Sequence, residues 1–470
     1  MPREILAALW KDVTGTDAGR VAFKGDDHPL PGPFRVGDAA AACVAATTLA
    51  AAELTGERGG NPAPVDVHIG HAAEAFRSEA HLSVVGRKLG GMWAALSGDY
   101  EAEDGWIRLH ANYPHHADAI CRALATDADG VRAEVAGRPA VDVEDAVLAA
   151  GGAAAVMRDR DGWLTDGPGT AVRAEPLVSV ERIGDAPPRP LTPLNRSRTD
   201  RILAQQALVD RASPGNLLAV WSVAERALTG VRVLDLTHVI AGPVATRTLA
   251  AHGADVLHVT DPKRPVLDRL VMDTDFGKQS CHVDLDTSEG RHTLAGLAAT
   301  ADVFVQSYRP DALARKGFGA EQLAANSPGI VVVSLSAYGH TGPWRERRGF
   351  DSLVQMSCGI AADQGMDRPR PLPAQALDHG TGWLAALGVL TALRRRAAEG
   401  GSWHVKLSLA RTAEWLHDLG RDDTPPTPAD LTPFMSETNS DYGPLAHLLV
   451  PGAQVQLRGP HQAGRDPARW

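Results

Sequence analysis

The chain has 470 residues, 44% of them hydrophobic, and a formal net charge of −10. That suits a large core spread over two or more units and works against a general affinity for nucleic acid or anionic lipid. The four cysteines (Cys43, Cys121, Cys281, Cys358) form no CxxC pair, so no disulfide framework or zinc site is indicated and a reducing cytoplasm is expected.

The first residues carry early acids and no unbroken apolar run, so no secretory leader is expected. The Ala-rich stretch 39–53 is shorter than the ~20 apolar residues of a membrane span, so no membrane partner is expected. Residues 37–75 read as an acid, a long Ala/Leu helix, a Gly-containing turn and an alternating strand. The same pattern returns at 377–415 with a constant offset of 340, which lays Asp38 on Asp378 and Ala73-Glu74 on Ala413-Glu414. The Pro-rich segment 186–193 reads as an extended connector and a domain boundary.

Beyond it, Val231–Leu236 and Asp255–Val259 read as strands around a helix at 243–252, and β-branched runs at 301–305 and 330–334 follow. Strands alternating with helices predict a parallel, doubly wound sheet, Rossmann-like in layout. A second polar, Pro-rich run at 421–428 closes this unit, and the tail after it shows little periodicity, so loose order is expected there. Nucleotide motifs are absent. The turn after the first strand, Thr237–Pro243, holds one glycine where a dinucleotide fingerprint has three, and neither a GxxxxGK[ST] loop nor a GxSxG elbow occurs. NAD is therefore not expected.

Gly230–Thr237, Ala241-Gly242-Pro243, Gly253–Val256, Gly277-Lys278-Gln279-Ser280, Tyr308–Asp311, Ser336–Pro343 and Gly349-Phe350-Asp351 stand in order over some 180 residues. Together they resemble the family III CoA-transferases, which include formyl-CoA and carnitine CoA-transferases. The resemblance implies an α/β fold with a Rossmann-like parallel-sheet large domain and a smaller α+β domain. In this chain the parts appear rotated. Residues 1–185 resemble the family's later part, with Gly98–Leu109 opening the small domain and Gly86–Gly91 as a Gly-rich loop. Residues 186–228 form the connector and a helix, 229–420 the CoA-binding domain, and 421–470 a Pro-rich tail.

The resemblance also implies the chemistry. Asp378, before the Trp383–Leu387 helix, matches the family's catalytic aspartate, which attacks an acyl-CoA thioester to give an anhydride and then an enzyme-CoA thioester. A helix-capping role is the alternative from local pattern, and His379 beside it is either a tuning group or a core histidine. Lys278, Arg309 and Arg315 match phosphate positions. Ile240, Ala241, Ser307, Tyr308, Tyr338 and Gly339 match stretches that pack around CoA. Asp38 reads as structural or vestigial.

The implied reaction is CoA transfer between acids, with acyl-CoA and a small carboxylic acid as substrates, no metal, and an interlocked homodimer. An α-methylacyl-CoA racemase is a rival, disfavoured because Phe350 stands where that enzyme carries a histidine. A silent acyl-CoA-binding paralogue is the other.

Overall fold

The computed structural model describes residues 1–87, 89–165, 167–194, 226–365, 367–422, 424–453 and 455–470. Most of the expected connector helix lies outside the described residues, as do Lys88 and Asp423.

The chain opens with α1 (Pro2–Thr14), whose Ile5, Leu6, Leu9, Trp10 and Val13 recur at helical spacing and are buried. Then come β1 (Val21–Lys24), α2 (Val36–Glu57), β2 (Val65–His68), α3 (Ile69–Ala75) and the short β3 (Ser83–Val84). A small α+β unit follows: β4 (Gly98–Ala102), β5 (Gly105–Leu109), α4 (Pro114–Leu124), α5 (Val131–Ala136), α6 (Ala140–Ala149) and β6 (Ala154–Val156). Its antiparallel sheet, β4-β5-β6, shares a core with the helices around Ile107, Leu109, Ile120 and Val143. Two short helices, α7 (Arg160–Thr165) and α8 (Pro168–Arg173), lead to β7 (Ser179–Gly184).

The second half alternates. Its elements are β8 (Arg232–Leu236), α9 (Ala241–Ala251), β9 (Asp255–Thr260), α10 (Asp268–Thr274), β10 (Lys278–His282), α11 (Ser288–Ala298), β11 (Val303–Gln306), α12 (Ala320–Asn326) and β12 (Val331–Ser336). After these come α13 (Asp351–Ser357), α14 (Ile360–Asp363), α15 (Ala376–Glu399), β13 (Ser402–Ser408) and α16 (Leu409–Asp418). The seven strands stand in the order β10-β9-β8-β11-β12-β13-β7, the first six parallel and β7 antiparallel. Helices on both faces bury both sides of the inner strands, which is why they read as Val/Leu-rich runs, interrupted by the buried Asp235 in β8 and His258 in β9. The order reverses between β8 and β11, and such reversals open a crevice at the carboxyl ends of the strands.

The large sheet takes its edge strand from the first 185 residues, since β7 pairs with β13. One expectation needs correction: the tail is not loose. It forms β14 (Met435–Ser440) and β15 (Gly443–Leu448), a hairpin that pairs with β3, and further on Asp466 accepts from Ser280 N at 2.7 Å. Only Leu445, His447 and Leu448 of the hairpin are buried, so its apolar alternation is too short to stand out in the sequence.

The repeat is structural. α2 and α15 both begin two residues before their aspartate, α3 and α16 begin at the same offset, and parallel pairs β1–β2 and β12–β13 accompany them. The two long helices pack on each other, and Thr47 donates to the Trp383 carbonyl at 3.0 Å. By length and composition α2 could cross a membrane, but 83% of its apolar window is buried inside the protein.

Candidate active site

Asp378 lies in the first turn of α15, and its side chain is 6% exposed. The capping role belongs to another residue. Asp351 Oδ2 accepts the Leu377 and Asp378 N–H groups at 2.8 and 2.9 Å, and Gln355 donates to Asp351 Oδ1 while accepting from Leu372 N at 2.7 Å. Among the described residues the Asp378 carboxylate makes no hydrogen bond and no ion pair. Burial, then the negative charges of Asp351 and Glu79, push its carboxyl well above the ordinary carboxylate range. Asp351 itself is pushed up to about 6, chiefly by burial.

His379 is fully buried, and its Nε2 lies 3.0 Å from Glu79 Oε2. Glu79 comes from the short turn Ser78–Ala80 after α3, so the N-terminal region closes over the start of α15. Burial works to raise Glu79, but the charge and hydrogen bond of His379 outweigh it and hold its carboxyl below the usual range. Glu79 has no local sequence signal, because its partner lies 300 residues away.

Ile240 and Ala241 stand at the start of α9, which packs against α15. A Cβ on Gly382, one helical turn beyond Asp378 on the same face of α15, would sit 2.5 Å from Ala241 O and 3.0 Å from Val244 Cβ. Only glycine permits that approach. The loop before α9 holds Val239 at φ 71°, a left-handed conformation uncommon for a β-branched residue. A buried charge network anchors the loop: Asp235 accepts from Thr237 N (2.9 Å), Thr237 Oγ1 and Thr246 Oγ1 (both 2.5 Å) and Lys278 Nζ (3.1 Å).

Lys278 is therefore not a phosphate ligand in this geometry. Its side chain is wholly buried, and its ammonium donates to Asp235, Asp275 and the Pro243 carbonyl, each at 3.1 Å. A protonated lysine has three donors, and all three are committed.

Other cations do gather at the sheet's carboxyl end. Arg309, exposed after β11, Arg264 after β9 and Arg348 before α13 are close enough to act on one another: Arg348 is held below its usual range, first by burial and then by the charges of Arg309 and Arg264. Arg264 pairs with Asp261 at 3.3 Å, whereas Arg309 and Arg348 have no carboxylate partner among the described residues. Tyr308 stacks edge-on with His238 at 5.2 Å, and its N–H is held by Gln306 Oε1 at 2.7 Å. Ser307 is half-buried between them in the chain, and Arg315 is exposed on the turn Ala314–Lys316. Arg348, missed from sequence, had one signal, its place directly before Gly349-Phe350-Asp351.

Tyr338 and Gly339 are not open to a ligand. Tyr338 is 1% exposed, bonded to Ser357 Oγ at 3.1 Å and packed edge-on against Trp344, and Gly339 lies buried against Glu175. The 160–175 segment of the same chain covers both. At the repeat's other aspartate, Arg35 Nη1 pairs with Asp38 Oδ2 at 3.0 Å and approaches Asp422 at 3.4 Å, so Asp38 is neutralised where Asp378 is not. No group of three or more His, Cys, Asp or Glu able to hold a metal occurs among the described residues.

Residues 228–419 match the profile of CoA-transferase family III. The chain is 37% identical over 200 residues to the acetyl-coenzyme A transferase nodX of Hypoxylon pulicicidum, covering 41% of this chain and 34% of that protein. It is 33% identical to the probable fatty acyl-CoA transferase Rv3272 of Mycobacterium tuberculosis, covering 40% and 52%, and a solved structure of Rv3272 gives a TM-score of 0.39 at 31% identity over 41% of this chain and 58% of that one. It is 34% identical to the formyl-CoA:oxalate CoA-transferase of Rhodopseudomonas palustris (strain TIE-1), covering 39% and 46%. The chain thus spans about a third to a half of the length of the curated relatives it matches.

Proposed function

We propose, from the premise that residues 228–419 belong to CoA-transferase family III, that this chain moves coenzyme A from an acyl-CoA to a carboxylic acid, with Asp378 as the covalent nucleophile. One observation carries the reading. Asp351 caps α15, which leaves the Asp378 carboxylate without a partner beside a tight helix start. A carboxylate free of hydrogen bonds sheds no ion pair before it attacks, and a raised pKa makes the ionised form the more basic nucleophile.

In the proposed sequence the Asp378 carboxylate attacks the acyl thioester carbonyl, and the C–S bond breaks to release CoA thiolate and form an acyl-aspartyl anhydride. The thiolate attacks the aspartyl carbonyl, releasing the donor acid and leaving an aspartyl-CoA thioester. The acceptor carboxylate then displaces the thiolate to form a second anhydride. Attack on its acceptor carbonyl gives the new acyl-CoA and restores Asp378. Each attack builds an oxyanion, and the first-turn N–H groups of α9, on Ala241 and Gly242, are the donors we assign to it, because α9 packs against the helix that carries Asp378.

Arg309, Arg348, Arg264 and Arg315, at the carboxyl end of a Rossmann-like sheet, are the cations we assign to the CoA phosphates. The matched relatives' names share CoA transfer, which is the part carried over to this chain. We carry over the interlocked homodimer implied by the resemblance as part of this reading; light scattering separates monomer from dimer. Against a racemase, His110 lies flat on Phe350 at 3.7 Å but is 3% exposed, and burial lowers its pKa to about 3, which leaves a poor base.

The test is mass spectrometry after incubation with acetyl-, propionyl- and succinyl-CoA and a panel of acids. Wild type is expected to form new CoA esters and an enzyme-CoA adduct. Asp378→Asn is expected to form neither. Wild-type turnover by Asp378→Asn overturns the assignment.

A further inference from the structure

A cavity of about 310 Å³ opens beside the start of α15. Gln375, three residues before Asp378, and Glu79, bonded to His379, lie on its wall, so one end of it meets the proposed nucleophile's turn. Met92, Trp93 and the 371–374 turn line it with apolar surface, and Trp93 is left 45% exposed. Large exposed aromatics beside a concave wall mark surface that a ligand covers.

Two arginines complete the lining. Arg77 donates through Nε and Nη2 to Glu74 at 2.5 and 2.6 Å, and Arg108 donates through Nε and Nη2 to Asp99 at 2.6 and 2.7 Å. In each case the carboxylate fixes one edge of the guanidinium and leaves Nη1 uncommitted among the described residues. A guanidinium held in this way presents its remaining N–H groups with little orientation left to lose, which suits them to a carboxylate. The third titratable group on the wall, Glu79, turns its carboxylate to His379 Nε2 at 3.0 Å.

We propose that this cavity receives a carboxylic acid carrying a second carboxylate, whose far end is held by Nη1 of Arg77 and Arg108 while its methylene body rests on Met92, Trp93 and Leu372. At ~30 Å³ per water-sized group the cavity has room for about ten non-hydrogen atoms, which is a diacid of about four to six carbons. The proposal rests on the Asp378 reading only for what happens to the near carboxylate. Binding of the far one stands apart.

Binding is measured on the full chain without CoA, by calorimetry with succinate, glutarate and adipate against butyrate and hexanoate at matched ionic strength. The diacids are expected to bind about ten-fold or more tighter, the effect of one charge-assisted pair. Arg108→Lys keeps a cation for Asp99 but loses the spare fork, and is expected to remove that preference. Trp93→Ala, at an exposed loop position, is expected to weaken every acid of matched length. Equal binding of butyrate and succinate, or an undiminished diacid preference in Arg108→Lys, overturns the proposal. Asp378→Asn separates the two readings: diacid binding without transfer supports both, whereas transfer by that variant overturns the nucleophile and leaves the diacid result to be judged by calorimetry.

Discussion

Gly382→Ala puts the seam between α9 and α15 under the smallest possible load. The added Cβ would stand 2.5 Å from the Ala241 carbonyl oxygen, roughly 0.8 Å short of the ~3.3 Å at which carbon normally meets such an oxygen. Neither neighbour yields easily, since one is backbone and the other, Val244, is β-branched and fully buried. Alanine favours the helix by about 1 kcal/mol over glycine, whereas overpacking costs about 1–3 kcal/mol, so the net loss of stability is expected to be only about 0–2 kcal/mol. Function should fall further. A shift approaching ~1 Å moves the Asp378 turn away from Ile240 and Ala241, and misplacement on that scale costs about a hundred-fold in rate. Urea unfolding reads the first quantity and CoA-ester formation the second. Gly296→Ala is the control, because its Cβ meets nothing within 4 Å in α11, and it should gain about 0.5–1 kcal/mol. Wild-type transfer by a folded Gly382→Ala protein would refute the coupling between α9 and the aspartate.

Other substitutions separate scaffold from chemistry. Lys278→Met leaves Asp235 buried without its ammonium partner and Asp275 with His258 alone, and is expected to cost about 3–5 kcal/mol in urea unfolding; a stable variant that only binds CoA more weakly would restore Lys278 as a ligand. Asp351→Asn weakens the cap of α15, costing about 0.5–2 kcal/mol, and removes a negative charge that raises Asp378, so the acid limb of the kcat/KM profile should move to lower pH. Stability should also titrate. Asp351, at about 6, and Asp378, well above its usual range, bind protons more tightly in the folded state than the ~3.9 of an unfolded aspartate. Their contribution is full below about pH 4 and is lost as pH rises through 6 and beyond. Asp378→Asn should flatten the upper part of that fall when its melting temperature is compared with wild type at each pH, a comparison in which titrating groups common to both proteins cancel.

The sequence carried the large sheet because β8, β9, β11 and β12 are buried on both faces and so are predominantly apolar. It carried the position of α15 because the same helix-turn-strand pattern occurs twice. It did not carry the fate of Lys278, since a lysine at the start of a strand reads the same whether it faces a phosphate or two buried aspartates; the clue lay in Asp235, a charge inside an otherwise apolar run. Gly339 and Glu79 were beyond reach for a related reason, as their neighbours Glu175 and His379 lie about 165 and 300 residues away.

The two aspartates show where a local reading does reach chemistry. Asp38 and Asp378 open equivalent helices, and a cap, a vestige and a nucleophile are indistinguishable from that fact alone. Three residues earlier stand Arg35 in one copy and Gln375 in the other. At that spacing on one helical face the arginine reaches its acid and neutralises it, whereas glutamine supplies no counter-charge, and the partner Asp378 meets instead is another carboxylate, Asp351, which raises its proton affinity. One position, basic in the first copy and neutral in the second, thus separates a closed ion pair from an aspartate left free to react.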